Sequence, residues 1–241
     1  MKLLTFTLGL ALASAAIATP IPTIADYSGS RSVGSGITAT WGWSGAGNNG
    51  FEISWNVTNS GTGSAPWTYT YTLGGSNPDG SSLSKALSHI ILQLSENVPN
   101  AVYEFPDGAD TAGPHTYDPT SNGNSNFGMP GNLYGIKWNC DANCTNPTFT
   151  ITTSQAPMWG SFYAISGKKP GQEVYAYSNG FGTAPADGTT NFANWIVTPD
   201  TRTTVIDTSI GAVPEPGTWT LMAAGIAALV VVRKRKRTGS V

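Results

Sequence analysis

Along residues 51–58 apolar side chains fall on every second position: Phe51, Ile53, Trp55 and Val57 alternate with Glu52, Ser54, Asn56 and Thr58. Residues 67–73 repeat the pattern, with Trp67, Tyr69, Tyr71 and Leu73 separated by Thr68, Thr70 and Thr72, and residues 149–152 repeat it more briefly. Successive side chains of a strand point to opposite faces, so this period gives each segment one dry and one wet side. Long helical periodicity is absent from the whole middle of the chain.

Less regular strand candidates are residues 37–43, 89–94, 133–138, 161–165, 173–177 and 194–197. Turn chemistry separates them: Asn48-Asn49-Gly50, residues 61–66, Asn77-Pro78-Asp79-Gly80 and residues 167–171. Residues 81–87 could form one or two helical turns. Residues 104–131 are rich in Asp, Gly, Pro, Asn and Ser and read as a long surface loop. Many short strands with Thr, aromatic and Gly enrichment predict an all-β domain, an antiparallel β-sandwich of jelly-roll or immunoglobulin type.

Both ends of the chain follow other rules. Met1-Lys2, an apolar stretch over residues 3–13 and the small residues Ala16-Ile17-Ala18 have the layout of a signal peptide, with cleavage expected before Thr19. At the other end Pro214-Glu215-Pro216 precedes an uncharged run from Leu221 to Val232, and Arg233, Lys234, Arg235, Lys236 and Arg237 follow. An ion at the bilayer centre costs about 2.5–3.5 kcal/mol on insertion scales, so the run enters lipid while the basic block stays out. Its convincingly apolar part, Trp219 to Val232, is about 14 residues or roughly 21 Å, against a hydrocarbon core of about 30 Å. Trp219 and snorkelling Arg233 and Lys234 offset part of the deficit. The positive-inside rule keeps the basic block cytoplasmic and puts Pro214-Glu215-Pro216 on the far side.

This order of motif, apolar run and basic block resembles the PEP-CTERM sorting signal of bacterial exported proteins. The resemblance implies a transient anchor in the inner membrane, cutting near Pro214-Glu215-Pro216 by an exosortase, and a final place at the cell surface or outside it. It also implies a link to extracellular polysaccharide or biofilm. Segments 87–90, 134–137 and 156–164 resemble blocks of uncharacterised members, which brings no catalytic residue with it. The expected organisation is a signal peptide at 1–18, an exported β-sandwich domain at 19–212 and a sorting signal at 213–237. Within the last, the motif is 214–216, the transmembrane helix about 217–232 and the basic tail 233–237. Signal peptidase and exosortase are then the processing partners.

Between the tags lie six Lys or Arg and thirteen Asp or Glu, a net charge of −7 that the basic tail masks in the whole-chain value of −2. Nucleic acid needs clustered cations to displace counterions, so it is excluded as a partner. The roughly 195 residues suit one core better than two. The two cysteines, Cys140 and Cys144, lie four apart, and in an oxidising compartment they read as a disulfide closing one tight loop. Zinc would require another spacing and nearby histidines, whereas His89 and His115 are distant in sequence.

No catalytic constellation emerges, and no enzyme is expected. His89 lies in a strand candidate and His115 in the long loop, which is thin material for a nucleophilic triad. Nothing pairs Glu52, Glu96, Glu104 or Glu173 across a cleft. The glycines mark turns, not a phosphate cradle before a helix, and no cofactor is indicated. Asp107, Asp110 and Asp118 could offer oxygens to calcium, but their spacing matches no EF-hand loop. Trp41, Trp43, Trp55, Trp67, Trp138, Trp159 and Trp195 are the stronger lead, because exposed rings can stack on sugars. Trp55 is in register with Phe51 and Ile53 and belongs to the core, while Trp41 and Trp43 would share one strand face. The sequence thus supports a structural or adhesive matrix protein, with a carbohydrate-binding module as the second reading.

Overall fold

The computed structural model describes residues 22–45, 50–75, 82–94, 103–104, 110–120, 126–140, 144–167, 171–186 and 189–199. All of these belong to the first of two units, residues 1–203. Residues 1–18, where a signal peptide is expected, and the whole of residues 213–237 lie outside the described residues.

Among the described residues thirteen strands are formed: β1 Ser28–Val33, β2 Gly36–Ala39, β3 Phe51–Asn59, β4 Trp67–Gly75, β5 His89–Gln93, β6 Tyr103–Glu104 and β7 Asp110–Tyr117, then β8 Leu133–Asn139, β9 Thr148–Thr153, β10 Pro157–Gly160, β11 Phe162–Gly167, β12 Val174–Ser178 and β13 Ile196–Pro199. Two 3-10 turns, Ile24–Asp26 and Trp41–Trp43, are the helical elements among the described residues. Eleven strands join in one sheet, ordered β6-β9-β4-β3-β1-β2-β12-β11-β5-β8-β7, and β10 pairs with β13 apart from it.

The domain is therefore all-β, as the alternation predicts. Its sheet curls instead of lying flat. The bend falls at Gly34 and Gly36, both at positive φ, where the chain jogs from β1 into β2 and the two strands overlap in a short parallel pair. Glycine adopts that conformation without the Cβ clash that penalises other residues. At Gly36 a Cβ would also collide with the carbonyl of Ala193.

Contacts across the interior show the two halves of the curl facing each other. Phe51 of β3 stacks on Phe162 of β11 with ring centroids 5.6 Å apart, and Trp138 of β8 stacks on Phe149 of β9 at 5.1 Å. The Tyr71 hydroxyl donates to the carbonyl of Val197 at 2.9 Å and the Tyr69 hydroxyl to that of Gln155 at 2.9 Å, tying β13 and the approach to β10 onto β4. Buried tyrosines keep their hydroxyls satisfied in this way, which avoids an unpaired polar atom in the core.

The outer faces of the two halves differ. On β3, β4 and β9 the outer positions are Ser, Thr, Asn and Glu, with Thr68, Thr70 and Thr72 directly opposite Thr152, Thr150 and Thr148. The outer face of β11, β5 and β8 instead carries a second apolar cluster of Ile91, Tyr117, Met129, Leu133, Tyr163 and Ile165, with Phe127, Tyr175, Tyr177 and Phe181 packed against it.

Several expectations need correction. Residues 104–131 are not one surface loop: β7 lies within them, and Asn126 and Met129 are buried. β7 is an edge strand, so Pro114 removes no ladder bond that the sheet needs, and its register shifts between Ala112 and His115. The candidate strand 37–43 stops at Ala39, and residues 41–43 turn. Residues 82–88 contain no helical turn. Their backbone bonds go to a neighbouring loop, from Leu83 N to Thr145 O at 2.6 Å and from Leu87 N to Cys144 O at 2.7 Å.

Candidate ligand-binding surface

Sorting the tryptophans by surroundings isolates one. Trp43 and Trp55 are buried, Trp159 is buried and stacked on Phe192 at 4.6 Å, and Trp138 is stacked on Phe149. Trp67 is half-buried edge-on to Tyr27 at 5.7 Å, and half-buried Trp195 donates its indole N–H to Thr183 O at 2.9 Å. Trp41 alone among them is exposed, at 56%. Trp41 and Trp43 therefore do not share a face, because a turn of three residues points them apart.

Trp41 also has φ +44°, the left-handed region. The clash of Cβ with the backbone there costs about 1–2 kcal/mol. What holds it is visible on both sides. Thr40 is clamped to β12: its N–H donates to Tyr175 O at 3.0 Å, its hydroxyl to Glu173 O at 2.7 Å, and Tyr175 N–H donates to the Thr40 hydroxyl at 3.1 Å. Trp43 plunges inward, packs on Phe51 at 4.9 Å and donates its indole N–H to Lys85 O at 3.0 Å. Between them the Ser44 hydroxyl donates to Trp41 O at 2.7 Å and the Ser84 hydroxyl to Gly42 O.

The far wall of this turn is therefore the segment carrying Ser84 and Lys85. The Lys85 stem passes so close that a Cβ on Gly42 would sit 3.0 Å from Lys85 Cγ. Cys140 and Cys144 are bonded as a disulfide with Cα atoms 6.2 Å apart, and Cys140 N donates to Ser88 O at 2.8 Å. Together with the bonds from Leu83 and Leu87, this braced loop fixes where Lys85 stands. Sequence reading missed Ser84 and Lys85, because a polar stretch with no period carries no sign of what it packs against.

The remaining chemical candidates do not assemble. His89 is buried, with Nε2 3.1 Å from Asn126 Oδ1, and desolvation, then the Lys137 charge, push its pKa down to about 4. Asn126 in turn donates to Asp118 O at 2.9 Å, so His89 pins the turn at 126–129 to the sheet. Glu52 is on β3, Glu104 on β6, and Glu173 accepts from Gly171 N at 3.3 Å just before β12. Asp118 accepts from the N–H and hydroxyl of Thr120 at 2.7 and 2.9 Å, which closes a turn. Asp107, Glu96 and the side chain of Asp110 lie outside the described residues. Among the described residues no group of three His, Cys, Asp or Glu is placed to hold a metal. No helix among them is long and apolar enough to cross a membrane.

Residues 212–236 match the family of the PEP-CTERM protein-sorting motif. The chain carries a PEP-CTERM sorting motif. It spans Pro214, Glu215 and Pro216, the apolar run and the basic residues up to Lys236. No curated protein and no solved structure matches the chain. The motif marks an exported protein processed at the membrane by an exosortase.

Proposed function

We propose that this PEP-CTERM protein is a non-enzymatic surface or extracellular-matrix component with a structural or adhesive role in an exopolysaccharide matrix. The observation that carries the reading is the sorting motif at residues 212–236. Its organisation is a signal peptide at 1–18, a β-sandwich domain at 19–212 and a transient inner-membrane anchor at about 217–232, followed by the stop-transfer block Arg233 to Arg237. Export reaches signal peptidase first. Pro214 and Pro216 fix φ and resist helix, presenting an extended backbone beside the membrane for cleavage. The uncharged segment and the cations after it hold that backbone at a set depth.

Replacing Pro214, Glu215 and Pro216 together with alanine is the test. The variant should accumulate in the membrane fraction with its tail intact, while the unaltered protein reaches the surface or medium. Equal release of both would overturn the reading.

A second reading is carbohydrate binding, favoured by Trp41, whose ring is exposed on a turn held in the left-handed region. Flat rings of this kind stack on the C–H faces of sugars. Trp43 and Trp67 do not extend it into a platform, since one is buried and the other half-buried.

A further inference from the structure

The Lys85 stem runs alongside Gly42, the residue next to exposed Trp41, and this juxtaposition points past sugar stacking in general. Lys85 is the one exposed cation among the described residues, since Arg31 and Lys137 are both partly buried. It lies beside the Trp41 turn, on a domain whose formal charge between the tags is −7. We propose that Trp41 and Lys85 form a subsite for a carboxylated sugar of an acidic polysaccharide: the indole takes the pyranose ring and the ammonium takes the uronate carboxylate. The proposal rests on the carbohydrate-binding reading and deepens it.

Three observations lead to it. First, glycine is the natural residue at φ +44°, yet tryptophan occupies the position with more than half its surface in water. Backbone strain held against an exposed ring gathers at ligand contacts, where surrounding structure over-determines it. Second, the turn is rigid before any ligand arrives, clamped by Thr40 on β12, Trp43 in the core and the hydroxyls of Ser44 and Ser84. Preorganisation lowers the ordering cost of binding. Third, the disulfide-braced loop fixes the segment that carries Lys85, and that side chain passes alongside Gly42. A charge-assisted bond from an ammonium to a carboxylate is roughly twice as strong as a neutral one, which a neutral glycan cannot supply. An anionic membrane is the weaker fit, because lipid-surface recognition uses clusters of about four to eight cations.

The test is affinity electrophoresis of the protein released into culture medium, which the proposed processing leaves without the apolar run and the basic block at 233–237, through gels containing polygalacturonate or dextran, with phosphatidylglycerol vesicles as a separate arm. Polygalacturonate should retard the unaltered protein, less so as salt rises, and dextran should not. Trp41→Gly and Lys85→Gln should each weaken that retardation by about tenfold or more while keeping the thermal transition. If the unaltered protein binds polygalacturonate and both variants bind it equally, the subsite is wrong and the glycan reading stands. Equal retardation by dextran would overturn the role given to Lys85. Binding to vesicles that both variants lose would assign the surface to lipid instead. No retardation by either polysaccharide would sink the subsite and the carbohydrate reading together.

Discussion

Acidification should loosen this domain through His89. The imidazole is buried between β5 and the turn at 126–129, with Tyr163 of β11 at a ring distance of 6.2 Å and Lys137 of β8 as the nearby charge. Asn126 uses its amide N–H on Asp118 O, which leaves Oδ1 as the acceptor for His89 Nε2–H. The hydrogen-bond network thus assigns the Nε2–H tautomer, and a second proton would have to enter at Nδ1 in a dry site. Burial first, and Lys137 second, lower the pKa from 6.5 to about 4 against a smaller opposing effect of Asn126. The unfolded chain takes up the proton as pH falls through about 6.5, and the folded chain refuses it until about 4. The contribution is therefore complete above about pH 6.5 and lost progressively down to about pH 4. Its size, from the interval between those values, is about 3 kcal/mol. Urea unfolding followed by tryptophan fluorescence, on the unaltered protein and on His89→Gln, isolates the effect. Carboxylates titrate in both proteins and cancel in the difference. The stability difference between the two should shift by about 3 kcal/mol between pH 7 and pH 4, the unaltered protein losing ground. A difference that stays constant with pH would refute the argument.

Other perturbations test the packing directly. Trp43→Ala removes a fully buried indole and its bond to Lys85 O, and should cost about 3–5 kcal/mol in denaturant titration. Gly36→Ala places a methyl against the Ala193 carbonyl at positive φ, so its melting temperature should fall well below that of an exposed-site control such as Gly61→Asn. Replacing Cys140 and Cys144 with serine opens a loop of sequence separation 4 and should cost about 2 kcal/mol on chain-entropy grounds, read by thermal unfolding.

The parts of the fold legible in the sequence were those where burial differs between the two faces of a strand. β3 and β4 carry Phe51, Ile53, Trp55, Tyr69, Tyr71 and Leu73 inward and polar residues outward, and the alternation marks them directly. β1 escaped notice because Gly29 and the serines around it carry no apolar face. Gly29 is small because the Trp55 indole lies over it, where a Cβ would come within 2.6 Å of the ring. β10 is buried on both sides and so shows no period at all. β7 was hidden by Gly113-Pro114, which only an edge strand tolerates. The candidate surface was half legible. Trp41 could be named from its residue type, but its separation from Trp43 depends on a left-handed turn that no alternation signals. Lys85 owes its position to the loop closed by Cys140 and Cys144, a tertiary contact beyond the reach of local pattern.

Export and processing at the tail remain the centre of the account. Mass spectrometry of the protein recovered from culture medium and from the cell surface, mapping both mature termini, tests this most directly. The expected product begins at Thr19 and ends close to Pro214-Glu215-Pro216, without Trp219 or anything after it. Recovery of a released chain that still runs through Arg233 to Val241 would contradict it.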